Sequence, residues 1–513
     1  MGKLGWLLEL GFITFLVLTS CHSENKPVSS KTSPDNMKPL TTQSPKNKVV
    51  HKVSLPGWIP ETRAEMEKTL GDFLASATVP AGLREPIRGL VVPHAGYEFS
   101  GPCAAYAYKS VQGKPYKRVI IMGPDHRIGF NGIAVTKATH YETVLGEIAI
   151  DTDLCEKLLA HSKLFRSLEG VDNEHSVAIQ VPFIQTVLKD TKIVPLIVGD
   201  LTSAEQYQEA AEIIQSLIDD ETLVIASSDF THYGEPHHYV PFKDNIKENL
   251  HKLDGGAIEL IKEGNLKGFQ DYLKETEATI CGWRPIVLLM MTLQDTEGVL
   301  LHYYTSGDLS NDYSNSVGYA AIALTDYYLS EAEQKTLINL ARQTLKLYLN
   351  ERKTPEVKAG ELSNRLRRPR GVFVTLNTRK DHHLRGCIGR LFDPEPLYQG
   401  VIDNAVNSAV NDSRFSPMNA AEEPEVEVEI SVLSALRRVK GPADIIAGKH
   451  GVYLLKGQAG ATFLPQVATE QGWNRDTMLS ELCEKAGLRP DAWHDPDMKF
   501  YVYTAQVIKE ETR

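Results

Sequence analysis

From about residue 56 to 326, short apolar runs alternate with stretches whose apolar positions recur at helical spacing. Ile87 to Val92, Arg118 to Met122, Lys192 to Val198, Thr222 to Ala226, Val299 to Thr305 and Val317 to Leu324 have the length and β-branched content of buried strands. Glu61 to Ala77, Pro102 to Val111, Thr152 to Ser162, Val177 to Leu188, Ala204 to Ile218, Lys243 to Glu263 and Arg284 to Thr292 read as helices. This alternation predicts an α/β domain, a mainly parallel or mixed sheet with helices on both faces.

The rhythm changes near Asp326 to Ser330. An amphipathic helix is expected from Ser330 to Asn350, then a basic segment (RLRRPR, residues 365–370) and a strand from Gly371 to Leu376. Pro424 to Leu433 (PEVEVEISVL) alternates apolar with acidic or polar residues, as a strand with one buried face does. Strands and helices without a regular βαβ order predict an α+β domain. The expected division is 56–328 and 329–513.

Residues 1–21 read MGKLGWLLELGFITFLVLTSC. Lys3 precedes an apolar run, Leu10 to Leu18, shorter than the ~20 residues that span a bilayer. Leu18-Thr19-Ser20-Cys21 resembles a bacterial lipobox, which implies lipidation at Cys21 and an exported, membrane-anchored lipoprotein of the cell envelope. A plain signal peptide with an incidental cysteine, or an uncleaved anchor, are the other readings. Residues 22–55 are rich in Ser, Thr, Pro, Lys and Asn and are expected to form a flexible tether.

The net charge of -11 argues against nucleic acid as a partner. The six cysteines are too sparse for a disulfide scaffold and include no CxxC pair. Lipidation of Cys21 would leave five thiols, so at least one is unpaired in an oxidising compartment.

Potential ligands follow three predicted strands: His94, then Asp125 and His126, then Asp229 and His232. In open α/β sheets, groups at the carboxyl ends of strands converge. Cys281 precedes a predicted helix, whose positive end would favour the ligating thiolate. Glu174 and His175 precede another helix and could supply acid–base chemistry or orient the ligands. Cys103, nine residues after His94, offers a competing fate, a disulfide with Cys281 in an exported chain.

The stretches VVPHAGYEFSGPCAAYAY (from Val91), IIMGPDHR (from Ile120), DNEHSVAIQVPF (from Asp172), SSDFTHYG (from Ser227) and TICGWRPI (from Thr279) resemble the Memo family, named for mediator of ErbB-driven motility and called AmmeMemoRadiSam system protein B in prokaryotes. The resemblance spans about 56–326. It implies a fold similar to class III extradiol dioxygenases, which are non-haem iron enzymes. It also implies metal ligation by His94, His126 and Cys281, with His175, Asp229 and His232 lining the same pocket in catalytic roles. The extradiol enzymes use two His and one carboxylate, whereas the third ligand here is a soft thiolate. Iron is the first expectation, and copper and zinc suit the same donors.

LRGCIG (Leu384 to Gly389), NDSRFSPM (from Asn411) and GVYLLKGQAGATFLPQVATEQGW (from Gly451) resemble the AMMECR family, AmmeMemoRadiSam system protein A, over about 330–513. Arg385 and Cys387 could form an anion-accepting or nucleophilic cofactor-binding loop, with Asp412 and Arg414 on the same surface and His382 or His383 as a base. The alternative is a strand with a glycine bulge and a small buried thiol. The family names imply a radical-SAM protein as partner, although an exported chain would be separated from a cytosolic one. Two function classes follow. One is a metal-dependent redox or dioxygenase-like enzyme acting on a small molecule or peptide. The other is a non-catalytic metal- or peptide-binding module.

Overall fold

The computed structural model describes residues 48–392 and 394–510. The expected export signal with Cys21, and residues 22–47 of the expected tether, lie outside the described residues. The end of that stretch is ordered: Val50–Lys52 is a strand, paired in parallel with His140–Thr143, which in turn pairs with Gly146–Ala149. The chain divides into two compact units, one ending at Tyr328 and the next beginning at Leu329.

The first unit is built on a nine-stranded mixed sheet. Its strands are β1 (Ile87–Val92), β2 (Arg118–Pro124), β3 (Ile133–Val135), β4 (Phe165–Arg166), β5 (Lys192–Val198), β6 (Thr222–Ser227), β7 (His232–Gly234), β8 (Thr296–Thr305) and β9 (Asn315–Asp326). The order is β7-β9-β1-β6-β2-β5-β3-β4, with β8 also pairing β9. The central β1, β6, β2 and β5 are mutually parallel, and β9 and β3 run antiparallel beside them. Every residue of β6, and all of β2 after Arg118, is buried, so helices must cover both faces. Tyr97–Val111 packs on β1 and β9, and Trp283–Thr292 on β6 and β2.

Most predicted elements stand within a few residues of their expected ends. The helix expected over Val177 to Leu188 is broken into His175–Ala178 and Val181–Val187, with Pro182 at the start of the second. The helix Leu266–Thr276 and the short strands β3, β4 and β7 stand outside the expected elements.

The second unit is α+β. Val372–Thr378, Leu384–Arg390, Val426–Leu433 and Ala505–Lys509 form one antiparallel four-stranded sheet. Arg437–Val439, Gly451–Lys456, Ala459–Phe463 and Lys499–Tyr503 form another. Helix Glu331–Glu351 starts at a reciprocal cap in which Ser330 and Glu333 satisfy each other's backbone N–H groups. Among the described residues of the chain, no helix is long and apolar enough to cross a membrane.

Candidate metal centre

The carboxyl ends of β1, β6 and β2 lie side by side, because β6 pairs with both of the others in parallel. His94, Asp229 and His126 follow these strands and therefore share one end of the sheet. Asp229 joins two of the ends: its Oδ1 accepts the backbone N–H of His94 at 2.7 Å and of Ala95 at 3.3 Å. Cys281 arrives from the turn before helix Trp283–Thr292. Gly282 allows this approach, since a Cβ there would stand 2.4 Å from Ser228 Cβ and 2.5 Å from Ser227 O. The Gly282 N–H donates to Ser228 Oγ at 3.0 Å.

Cys281 Sγ consequently lies 3.2 Å from His94 Nε2, and donor atoms of His94, His126 and Cys281 fall within 4.8 Å of one another. Ligands at about 2.0–2.3 Å from a tetrahedral ion stand roughly 3.5 Å apart, so the donors fit a transition-metal site.

The hydrogen-bond network fixes which ring nitrogens are available. Ser227 Oγ donates to Ser176 O and accepts from Gln180 Nε2 at 2.9 Å, which leaves it accepting from His94 Nδ1–H at 3.0 Å. His94 therefore presents an unprotonated Nε2 toward Cys281. Glu174 accepts from His126 Nδ1 at 3.0 Å, His175 Nδ1 at 2.9 Å and His126 N–H at 2.9 Å. Both rings thus keep their Nε2 atoms free. A carboxylate or hydroxyl fixing the far nitrogen of an imidazole is the usual support for a metal ligand. The rings of His94 and His126 lie 5.3 Å apart and those of His126 and His175 4.6 Å apart.

Electrostatics follow from burial. Burial, reinforced by His126, His175 and His232, holds the His94 imidazole well below its ordinary range, so it is neutral. Burial pushes the Glu174 carboxyl up, but the hydrogen bonds from His126 and His175 outweigh it and keep it ionised, well below the usual carboxylate range. Burial raises Asp229 to about 7 against the N–H groups of His94 and Ala95. Burial, with His237 and His126 nearby, lowers His232 to about 4. The Cys281 thiol departs from its expectation. Burial and the neighbouring Asp229 push it well above the ordinary value, and the N–H of Gly282 and the Ser228 hydroxyl offset this only in part. The helix end does not outweigh these two effects.

His232 opens β7 beside this group, its N–H donating to Thr279 Oγ1 at 3.0 Å. Asp125 faces away, its carboxylate accepting the N–H groups of Arg127, Ile128 and Gly129 in the turn after β2. Cys103 and Cys281 are both free thiols, so the disulfide alternative does not hold. The Cys103 sulfur faces His302 O at 3.8 Å within the core. Sequence reasoning missed Ser227, Gln180 and Trp58, whose ring lies 4.8 Å from that of His175. Ser227, at the end of β6 beside Asp229, and Gln180, within the DNEHSVAIQVPF stretch, each carried a signal.

In the second unit LRGCIG lies in the strand Leu384–Arg390, not in an open loop. The pairing shifts register at Arg385, which makes it the extra residue of a β-bulge. Arg385 Nε donates to Glu422 and its Nη2 to Ser416 O, each at 2.9 Å. The Cys387 thiol is raised by burial and accepts from Thr375 Oγ1 at 3.2 Å. Its N–H donates to Asp412 at 2.8 Å and its carbonyl accepts from Arg414 at 3.1 Å. Gly386 lets the bulge approach the neighbouring helix, as a Cβ would lie 2.0 Å from Ser408 O. His382 and His383 are exposed and paired with Glu427 and Asp381, so neither serves as a base for Cys387.

Residues 56–323 match the Memo-like protein family and residues 338–508 match AMMECR1. The memo-1 homolog of Caenorhabditis elegans is 32% identical over 280 residues, covering 52% of this chain and 79% of that protein. A MEMO1 family protein of Nitrosopumilus maritimus is 32% identical over 272 residues, covering 51% of this chain and 94% of the relative. Protein MK0488 of Methanopyrus kandleri is 39% identical over 190 residues, covering 36% of this chain and 91% of its own length. With its strand-end histidines and Cys281 gathered at one end of the sheet, the chain belongs to the Memo-like family and carries an AMMECR1 domain in the same polypeptide.

Proposed function

We propose that the chain binds a redox-active transition-metal ion, iron first among the possibilities, between His94, His126 and Cys281 and acts as an oxidoreductase on a small-molecule or peptide substrate. The observation that carries this reading is the meeting of three ligand atoms within 4.8 Å, with His94 tied at Nδ1 so that its Nε2 faces Cys281. Iron is placed first on the similarity of the Memo family to non-haem iron enzymes, and copper and zinc share the donor set. A bound redox metal with open coordination positions supplies electron transfer.

The surrounding residues orient ligands and handle protons. Glu174 holds His126 and His175 in place. Asp229, raised to about 7, can give or take a proton near neutrality. His232, lowered to about 4, is a neutral acceptor at that pH. Cys281 must release its proton to become a ligand, so metal capture is coupled to pH.

Export and lipidation at Cys21 belong to the same proposal and place this chemistry in the cell envelope. A radical-SAM protein as partner rests on the family association. The metal reading is tested by elemental analysis of the anaerobically purified chain beside Cys281→Ser and His94→Ala. Metal is expected in the parent and lost from both variants, and equal content in all three contradicts the assignment. Catechol cleavage by the iron-loaded chain tests the ring-cleaving version.

A further inference from the structure

We infer that the pocket holds a second cation position, formed by Asp229, His232 and the sulfur of Cys281, so that Cys281 bridges two metal ions. This rests on the reading above and extends it. Asp229, His232 and Cys281 offer donor atoms within 4.8 Å of one another, a set distinct from the first and sharing only the sulfur. The ligands of one ion must lie close together, so a compact triplet is what each position requires.

Three observations point to a ligand at this second triplet. His232 Nε2 is buried and has no hydrogen-bond partner among the described residues. A buried imidazole nitrogen left unpaired is costly, and a cation satisfies it. Asp229 is almost fully buried, and the bonds found for its carboxylate come from the backbone N–H groups of His94 and Ala95 rather than from a cation. Thr279 then locks the two halves together: its hydroxyl accepts from His232 N–H and donates to His232 O at 2.8 Å, two residues before Cys281. The remaining triplet, His126, Glu174 and His175, behaves differently, because its carboxylate is already satisfied by both imidazoles.

A thiolate has lone pairs enough for two ions. Filling the second position changes no oxidation state. It also converts Asp229 and His232 from proton carriers into ligands, so the one-ion and two-ion forms are chemically distinct.

The test is anaerobic titration of the metal-free full-length chain with Co(II), read by bound stoichiometry and by electron paramagnetic resonance. About two equivalents are expected, with the signal of the first ion diminished as the second fills, because a bridging sulfur couples the two spins. Asp229→Asn and His232→Gln should each bind about one equivalent with an undiminished signal, and retention of that equivalent shows that the variants are folded. Saturation of the parent chain at one equivalent overturns the second position and leaves the first intact. A second equivalent that persists in both variants overturns it as well. No binding at all removes the underlying reading.

Discussion

The Cys281 sulfur stands 3.2 Å from His94 Nε2 across 187 residues of sequence. Parallel pairing of β6 with β1 brings the His94 turn beside Ser227 and Ser228, and the Gly282 turn seats on those same serines. The centre is thus assembled by sheet topology and one glycine contact.

Glu174 holds His126 through both its ring and its backbone N–H. Glu174→Gln keeps the shape but weakens the acceptor toward two imidazoles. Metal affinity is expected to fall by about 10–100-fold with little change in secondary structure. Competition titration against a chelator, with circular dichroism alongside, measures both.

Gly282→Ala drives a methyl group into Ser228 and the Ser227 carbonyl. Overpacking of this kind costs about 1–3 kcal/mol and displaces Cys281 from His94. The expected result is a lower melting temperature together with weaker metal binding. A variant that melts lower yet binds metal as the parent does would show that Cys281 is placed by other contacts.

Asp254 is fully buried, accepting Thr231 N–H at 3.1 Å and Tyr303 O–H at 2.8 Å, and burial raises it to about 6. Below about pH 4 both folded and unfolded chains hold its proton. Between about pH 4 and 6 the unfolded chain releases it first, so the folded state loses roughly 3 kcal/mol as pH rises through that window. Asp254→Asn should abolish this loss. Urea unfolding of both chains at pH 4.5 and 7, followed by a probe in the first unit, compares the two slopes.

In the second unit Asp412 anchors both Arg414 and the Cys387 N–H. Asp412→Ala removes the carboxylate that both groups share and should cost about 1–3 kcal/mol, seen as a lower unfolding midpoint for that unit.

The sheet of the first unit was legible because β1, β2, β5 and β6 are short segments rich in Val, Ile and Leu, as strands buried on both faces are. The candidate ligands were legible because strand ends converge whatever the sequence distance between them. The protonation of Cys281 was not, since it depends on burial among groups contributed by other segments. Nor was the role of Gln180, which orients Ser227 from the break between helices His175–Ala178 and Val181–Val187. For LRGCIG the sequence left an anion-accepting loop and a strand with a bulge both open, and the structure has the strand, because the bulge that turns Arg385 toward Glu422 depends on register with Val372–Thr378, which the motif alone does not specify.

The most direct measurement is the metal content of the anaerobically purified full-length chain beside Cys281→Ser and His94→Ala. Stoichiometric transition metal in the parent, and a large loss in each variant that still shows the parent's circular dichroism spectrum, is the predicted result. Undiminished metal in both variants would contradict the account.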